Sequence, residues 1–181
     1  IALFRGINVG GRNKLPMREL VAVLDELGLT DVSTYLQSGN AVFHADDAVD
    51  GDRLVEEIGG ALHERHGVAP QVLLLSPADM AGAMASNPYP EAEADPKTLH
   101  LFFLAFPPPA PDLESLAAIQ GESERFCLEG TVFYLHAPDG IGRSKLAAKV
   151  EKALGVPVTA RNWRSVAKIM DLAEALDSGT A

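Results

Sequence analysis

The chain has one cysteine, one tryptophan and only 6% aromatic residues, and its 15 Lys and Arg are outnumbered by 25 Asp and Glu. Each scarcity excludes something. Cys127 alone cannot close an intramolecular disulfide or complete a zinc site, which fits a reducing compartment. A net charge of -10 argues against indiscriminate nucleic-acid binding, whose affinity comes from neutralising phosphates with surplus cations. No apolar run approaches the roughly 18 residues that a membrane span requires. Residues 1–20 are too interrupted by Arg5, Gly6, Asn8 and Gly10 for a signal peptide. The expected location is the cytoplasm, without membrane association, and an initiator methionine is expected before Ile1.

What is present is enough to fold. A 47% hydrophobic content over 181 residues fills one ordinary core or two small ones. The charges are also segregated. Arg5, Arg12, Lys14 and Arg18 face only Glu19 in the first twenty residues. Arg143, Lys145, Lys149, Lys152, Arg161, Arg164 and Lys168 face only Asp139 and Glu151 between 139 and 168. The acids gather elsewhere, at Asp46, Asp47, Asp50, Asp52, Glu56 and Glu57. The segregation allows a local basic surface on an acidic protein; solvated helix faces are the alternative.

Periodicity predicts a strand at Ile1–Phe4, a glycine loop, and a helix from Pro16 carrying Met17, Leu20, Val21, Leu24 and Leu27 to a stop at Gly28. A hairpin follows, Val32 to Gln37 and Ala41 to His44, about the turn Ser38-Gly39-Asn40. A helix from about Asp52 to His66 stops at Gly67, and Val68–Leu75 is the next strand. The pattern then recurs. Strands at Leu99–Phe106, Arg125–Leu128, Val132–Leu135 and Val158–Ala160 alternate with helices at Leu113–Ile119 and Arg143–Leu154. The fold class is therefore α+β, with two ferredoxin-like βαββαβ units, mainly antiparallel sheets and an extra C-terminal helix. The expected boundaries are 1–76 for the first unit, 98–160 for the second and 161–181 for the C-terminal helix and tail. Residues 77–97 form a connector with a short helix at Pro77–Ala85 and a Pro-punctuated acidic loop.

The stretch Arg5-Gly6-Ile7-Asn8-Val9-Gly10-Gly11-Arg12-Asn13-Lys14 is the strongest candidate for a site. Gly6 and Gly11 have P-loop spacing, but Arg12 and Asn13 stand where that motif needs Lys and Ser or Thr, and an antiparallel sheet is the wrong setting. Two readings remain open. The loop is an anion site served by Arg12 and Lys14, or its glycines permit positive φ while Asn8 and Asn13 cap it. Asp139-Gly140-Ile141-Gly142-Arg143-Ser144-Lys145 is a second glycine loop, in which helix capping by Ser144 is favoured over anion capture by Arg143 and Lys145. His63 and His66 are three residues apart, not the four of a zinc-protease helix, so no metal site is expected. Cys127 reads as a small strand residue and Trp163 as the anchor of a helix capped by Asn162. Phe4 and Phe43 read as core, since the basic-aromatic consensus of an RNA-binding sheet is absent.

The motifs Arg5-Gly6-Ile7-Asn8-Val9-Gly10-Gly11, Thr34-Tyr35-Leu36-Gln37-Ser38-Gly39-Asn40 and Arg161-Asn162-Trp163, with Lys14, Met17 and Val166, resemble a bacterial family known as domain of unknown function 1697. Ser165 and Ala41, in place of Thr and Val, are mild departures. The resemblance implies a duplicated ferredoxin-like protein of the cytoplasm, and implies no activity, cofactor or catalytic residue.

The leading functional expectation is a binding protein for an anionic ligand, a phosphorylated metabolite or a structured nucleic acid. It would use Arg5, Gly6, Asn8, Gly10, Gly11, Arg12, Lys14, Gln37, Ser38 and Asn40, with Arg161 and Asn162. Both loops follow strands that could end at one rim of a sheet, which motivates the joint site. The alternatives are an enzyme acting on a phosphorylated or carboxylated small molecule, and a structural or protein-interaction module. The enzyme reading lacks a general base, because no His or acid falls inside these motifs.

Overall fold

The computed structural model describes residues 1–46 and 48–179; Asp47 and the last two residues lie outside the described residues. The chain divides into two compact units, one formed by Ile1–Ala81 together with the chain from Ala167 onward, the other by Gly82–Val166.

In the first unit the order is β1 (Ala2–Arg5), α1 (Met17–Glu26), β2 (Thr30–Thr34), β3 (Asn40–His44), α2 (Gly51–His66) and β4 (Gln71–Leu74). All pairings are antiparallel and the sheet order is β2-β3-β1-β4, so the first strand lies between the third and fourth. That is the ferredoxin-like arrangement. In α1, Leu20, Val23 and Leu24 are buried at the spacing of one helical face, and the helix ends at Leu27 before Gly28 at φ +83°. The second helix starts on Asp50, whose carboxylate accepts the N–H groups of Asp52 and Arg53 at 2.9 and 3.2 Å, and it stops at Gly67 in the left-handed region. Leu54, Ile58 and Leu62 from α2 join Leu20, Leu24, Ala2 and Phe4 in one core, with Phe43 packed against it. Both phenylalanines are core residues, as their positions predict.

Next, α3 (Pro77–Ala85) crosses the boundary between the units. The second unit contains β5 (Leu99–Leu104), α4 (Leu113–Ile119), β6 (Arg125–Glu129), β7 (Val132–His136), α5 (Val150–Leu154) and β8 (Val158–Asn162). Its sheet order, β6-β7-β5-β8, repeats that of the first unit, again with antiparallel pairing throughout. Every residue of β5 is buried. Phe133 meets Phe102 edge-on at 5.8 Å and stacks on Phe126 at 5.4 Å, inside a core shared with Leu116, Leu135, Val150 and Leu154. Finally, α6 (Trp163–Asp177) starts where Asn162 Oδ1 accepts the N–H of Ser165 at 2.9 Å, so Asn162 is its N-cap.

Three expected elements need correction. The helix expected over Arg143–Leu154 is broken into 3-10 turns at Ile141–Arg143 and Ala147–Lys149, and only Val150–Leu154 is α-helical. The break is local chemistry: Ser144 accepts the N–H of Ala147 on its Oγ at 2.9 Å and restarts the chain as a cap, in place of continuing a helix. Strand β2 begins at Thr30, passes an irregularity beside Asp31 (φ +53°), and ends at Thr34 where Val32–Gln37 was expected. Leu36 cannot extend it, because its φ of +58° is incompatible with a strand. Strand β4 covers Gln71–Leu74, shorter than the expected Val68–Leu75.

Candidate functional site

Residues 6–16 leave the end of β1, and residues 35–39 join β2 to β3. Because β1 and β3 are antiparallel neighbours with Leu3 opposite Asn40, the two loops emerge at the same end of the sheet. The Phe4 N–H donates to the Gly39 carbonyl at 2.8 Å, and Asn8 Nδ2 donates to the Gln37 carbonyl at 2.8 Å. The two motifs thus share a rim.

Asn8 is the organising side chain. Its Nδ2 also donates to the Leu15 carbonyl at 2.8 Å, while its Oδ1 accepts the Leu15 N–H at 2.9 Å, so it pairs with Leu15 as a strand residue would. Its backbone sits at φ +53°, a conformation that asparagine tolerates better than most residues. Asn13 Nδ2 closes the other side by donating to the Gly6 carbonyl at 2.7 Å. Below them Ile7 and Leu15 are fully buried, anchoring the loop to the core. At the tip, Arg12 N–H donates to the Val9 carbonyl at 3.0 Å across Gly10 (φ +58°) and Gly11 (φ +76°). Two consecutive positive φ values define the tight hairpin turn for which a Gly-Gly pair is suited. Gly39 serves close packing: a Cβ there would lie 2.5 Å from Ile7 Cδ1 and 2.6 Å from Phe4 Cβ.

The structure therefore sorts the expected site residues by chemistry. Asn8 has both amide hydrogens and its carbonyl oxygen committed to the backbone. Asn40 is buried and donates to the Tyr35 carbonyl at 2.7 Å and to Ser38 Oγ at 3.3 Å. Both set the loops' shape and leave no donor for a ligand. Gly6, Gly10 and Gly11 serve backbone conformation. Arg5 is half-buried and donates to Gln71 Oε1 at 3.0 Å. Arg12, Lys14, Gln37 and Ser38 are exposed. Arg161 and Asn162 belong to the other unit. There Arg161 is buried, donates to the Ala160 carbonyl at 2.8 Å, and has its pKa pushed down to about 10 by desolvation.

Sequence reasoning missed the apolar part of this rim. Val9 and Leu36 are 66% and 54% exposed, and each adjoins a residue of the Asn8–Gln37 hydrogen bond. Leu36 in the left-handed region carries a strain on the order of 1 kcal/mol. Val9 was legible as an apolar residue beside a Gly-Gly tip. Leu36 had no such signal, since it reads as one more strand former.

Among the described residues no group of three or more His, Cys, Asp or Glu side chains is placed to hold a metal ion. Nor is any helix among them long and apolar enough to cross a membrane. Cys127 is half-buried, and desolvation, with Glu129 nearby, raises its thiol pKa, the opposite of an activated nucleophile.

The chain is similar over its length to a solved structure, a conserved bacterial protein, SP0830 from Streptococcus pneumoniae. The two are 25% identical, with 95% of this chain and 96% of that one covered at a TM-score of 0.66. Among curated proteins there is no match. Residues 1–134 match the family described as protein of unknown function (DUF1697), and the chain belongs to that family.

Proposed function

We propose that this is a binding protein for an anionic, phosphate-bearing partner, engaged at the rim of the first unit by Arg12 and Lys14. One observation carries the reading. Arg18 pairs with Glu19 at 3.2 Å and Arg5 bonds to Gln71, whereas the exposed side chains of Arg12 and Lys14 have no hydrogen bond or ion pair among the described residues. They are carried on a loop whose shape is fixed by the Asn8 and Asn13 side chains bonding to its backbone, so both cations are presented without neutralisation from a braced support. The open exposure of Val9, Gly10, Gly11, Leu36 and Gln37 around them suits an extended polyanion such as a nucleic-acid backbone, with Val9 and Leu36 offering apolar contact beside the charges. The chain's overall net charge of -10 opposes sliding contact and confines attraction to this rim.

The test is fluorescence anisotropy with labelled single-stranded and hairpin oligonucleotides over a salt series. Binding is expected to weaken as salt rises. The double substitution Arg12→Ala with Lys14→Ala should flatten the log–log salt slope by about 1.8 on a duplex, following two lost phosphate contacts. Absent binding at low salt, or binding indifferent to both substitutions, would remove the nucleic-acid reading. Native mass spectrometry of protein purified gently from its own cells would then reveal a retained phosphorylated metabolite if the partner is small.

A further inference from the structure

A second candidate lies in the other unit, on the glycine loop the rim does not use. The segment after α4 and the segment Asp139–Lys145 face each other across a cleft of about 690 Å³, within the range of small-molecule sites. Ser123 Oγ donates to Asp139 Oδ2 at 2.7 Å and ties the two segments together. Glu124 lines this cleft although it is only 8% exposed. Its Oε2 accepts the Gly121 N–H at 2.7 Å, where the absence of a side chain lets the carboxylate come close. Its Oε1 has no hydrogen-bond partner among the described residues and is not sealed from solvent, and the residue lines the cleft. A carboxylate this buried is costly unless a cation meets it, and no cation of the chain forms an ion pair with it among the described residues. Arg143 and Lys145, on the facing segment, are exposed and likewise have no ion pair there.

We infer that this cleft binds a small zwitterion, its ammonium group on Glu124 and its carboxylate or phosphate on Arg143 and Lys145. The chain supplies one half of each of two ion pairs, the acid for one and the bases for the other, and a ligand with one charge of each sign satisfies all three side chains at once. Gln120, whose amide donates to the Glu124 carbonyl, holds the turn that presents the acid. The site is independent of the rim and stands or falls without it.

Thermal denaturation of the intact chain with each common α-amino acid, and with phosphoethanolamine, provides the test. At least one zwitterion should raise the melting temperature saturably, while acetate and methylamine, with one charge each, give a much smaller shift. Glu124→Gln keeps the oxygen that accepts from Gly121 and removes the charge, so the response should be lost. Arg143→Ala with Lys145→Ala changes only exposed side chains and should weaken the apparent Kd at least about tenfold. If Glu124→Gln does not fold, that second variant decides. No saturable shift up to about 10 mM, or a response unchanged in the variants, overturns the inference.

Discussion

Replacing Asn8 by alanine removes its two-ended pairing with Leu15 and the bond to Gln37 that joins the two rim loops, and the structure sets the cost. Three hydrogen bonds go: two with the backbone of Leu15 and one with the Gln37 carbonyl. The Leu15 bonds are partly buried and would leave a donor and an acceptor poorly satisfied, at about 1 kcal/mol each. The Gln37 carbonyl is exposed, water replaces the amide there, and its loss adds only a few tenths. Alanine at φ +53° adds on the order of 1 kcal/mol of backbone strain. The sum is about 3 kcal/mol. Asn8→Gly separates the parts, because glycine accepts the positive φ and loses only the hydrogen bonds, so it should be about 1 kcal/mol milder than Asn8→Ala. Urea denaturation of the wild type and the two variants reads both numbers from the midpoints at constant slope. Arg12→Ala is the control, expected within about 0.5 kcal/mol of wild type because its side chain is exposed. If Asn8→Ala costs less than about 1 kcal/mol, or if glycine is no milder, Asn8 does not clamp the two loops.

Gly39 and Gly10 both have positive φ, but only Gly39 is packed, so Gly39→Ala should destabilise by clearly more than the roughly 1 kcal/mol expected for Gly10→Ala, which meets open space. Equal melting temperatures for the two variants would contradict the close contact of the loops. Burial in β5 pushes His100 below its ordinary value of 6.5, and desolvation together with Arg125 does the same to His136. The unfolded chain therefore binds more protons than the folded one just below pH 6.5, and stability should fall as the solution is acidified through that value. The carboxylates held below their ordinary values, Glu26, Asp79, Glu91 and Asp112, contribute only at lower pH. His100→Gln should flatten the decline between pH 6.5 and 5, leaving the part due to His136; a melting temperature that rises on acidification would refute the assignment.

What the sequence revealed and what it hid follow from the range of the forces involved. The helices were legible because their signals are local: Gly28 and Gly67 end α1 and α2 where their positions predict, and Leu54, Ile58 and Leu62 are buried at helical spacing. The repeated sheet order was legible because one pattern recurs, βαββαβ, and its antiparallel solution places the first strand centrally in both units. The helix across Ser144 failed for the same local reason that helices usually succeed. A hydroxyl competed with the backbone, and composition alone does not say which partner wins.

The site was harder, because what decides a polar residue's role is where its hydrogen bonds go, and those partners lie far along the chain. Asn8 and Arg12 sit four residues apart in one glycine-rich motif, equally polar and equally suited to an anion. Folding brings Leu15 and residue 37 against Asn8 and consumes every side-chain donor it has, while the Arg12 side chain projects from a Gly-Gly turn with no hydrogen-bond partner among the described residues. The motif is thus a division of labour between residues that hold a shape and residues that the shape presents. A rim built this way tolerates exchange of Arg12 and Lys14 with little loss of stability and none of architecture. Changes at Asn8 or Gly39 disturb both loops together, since each closes a contact between them, and changes at Asn40 disturb the second loop, whose turn its side chain closes. Substitution at the clamp should therefore weaken any binding at the rim indirectly and with a measurable loss of stability, whereas substitution at the cations should weaken it alone.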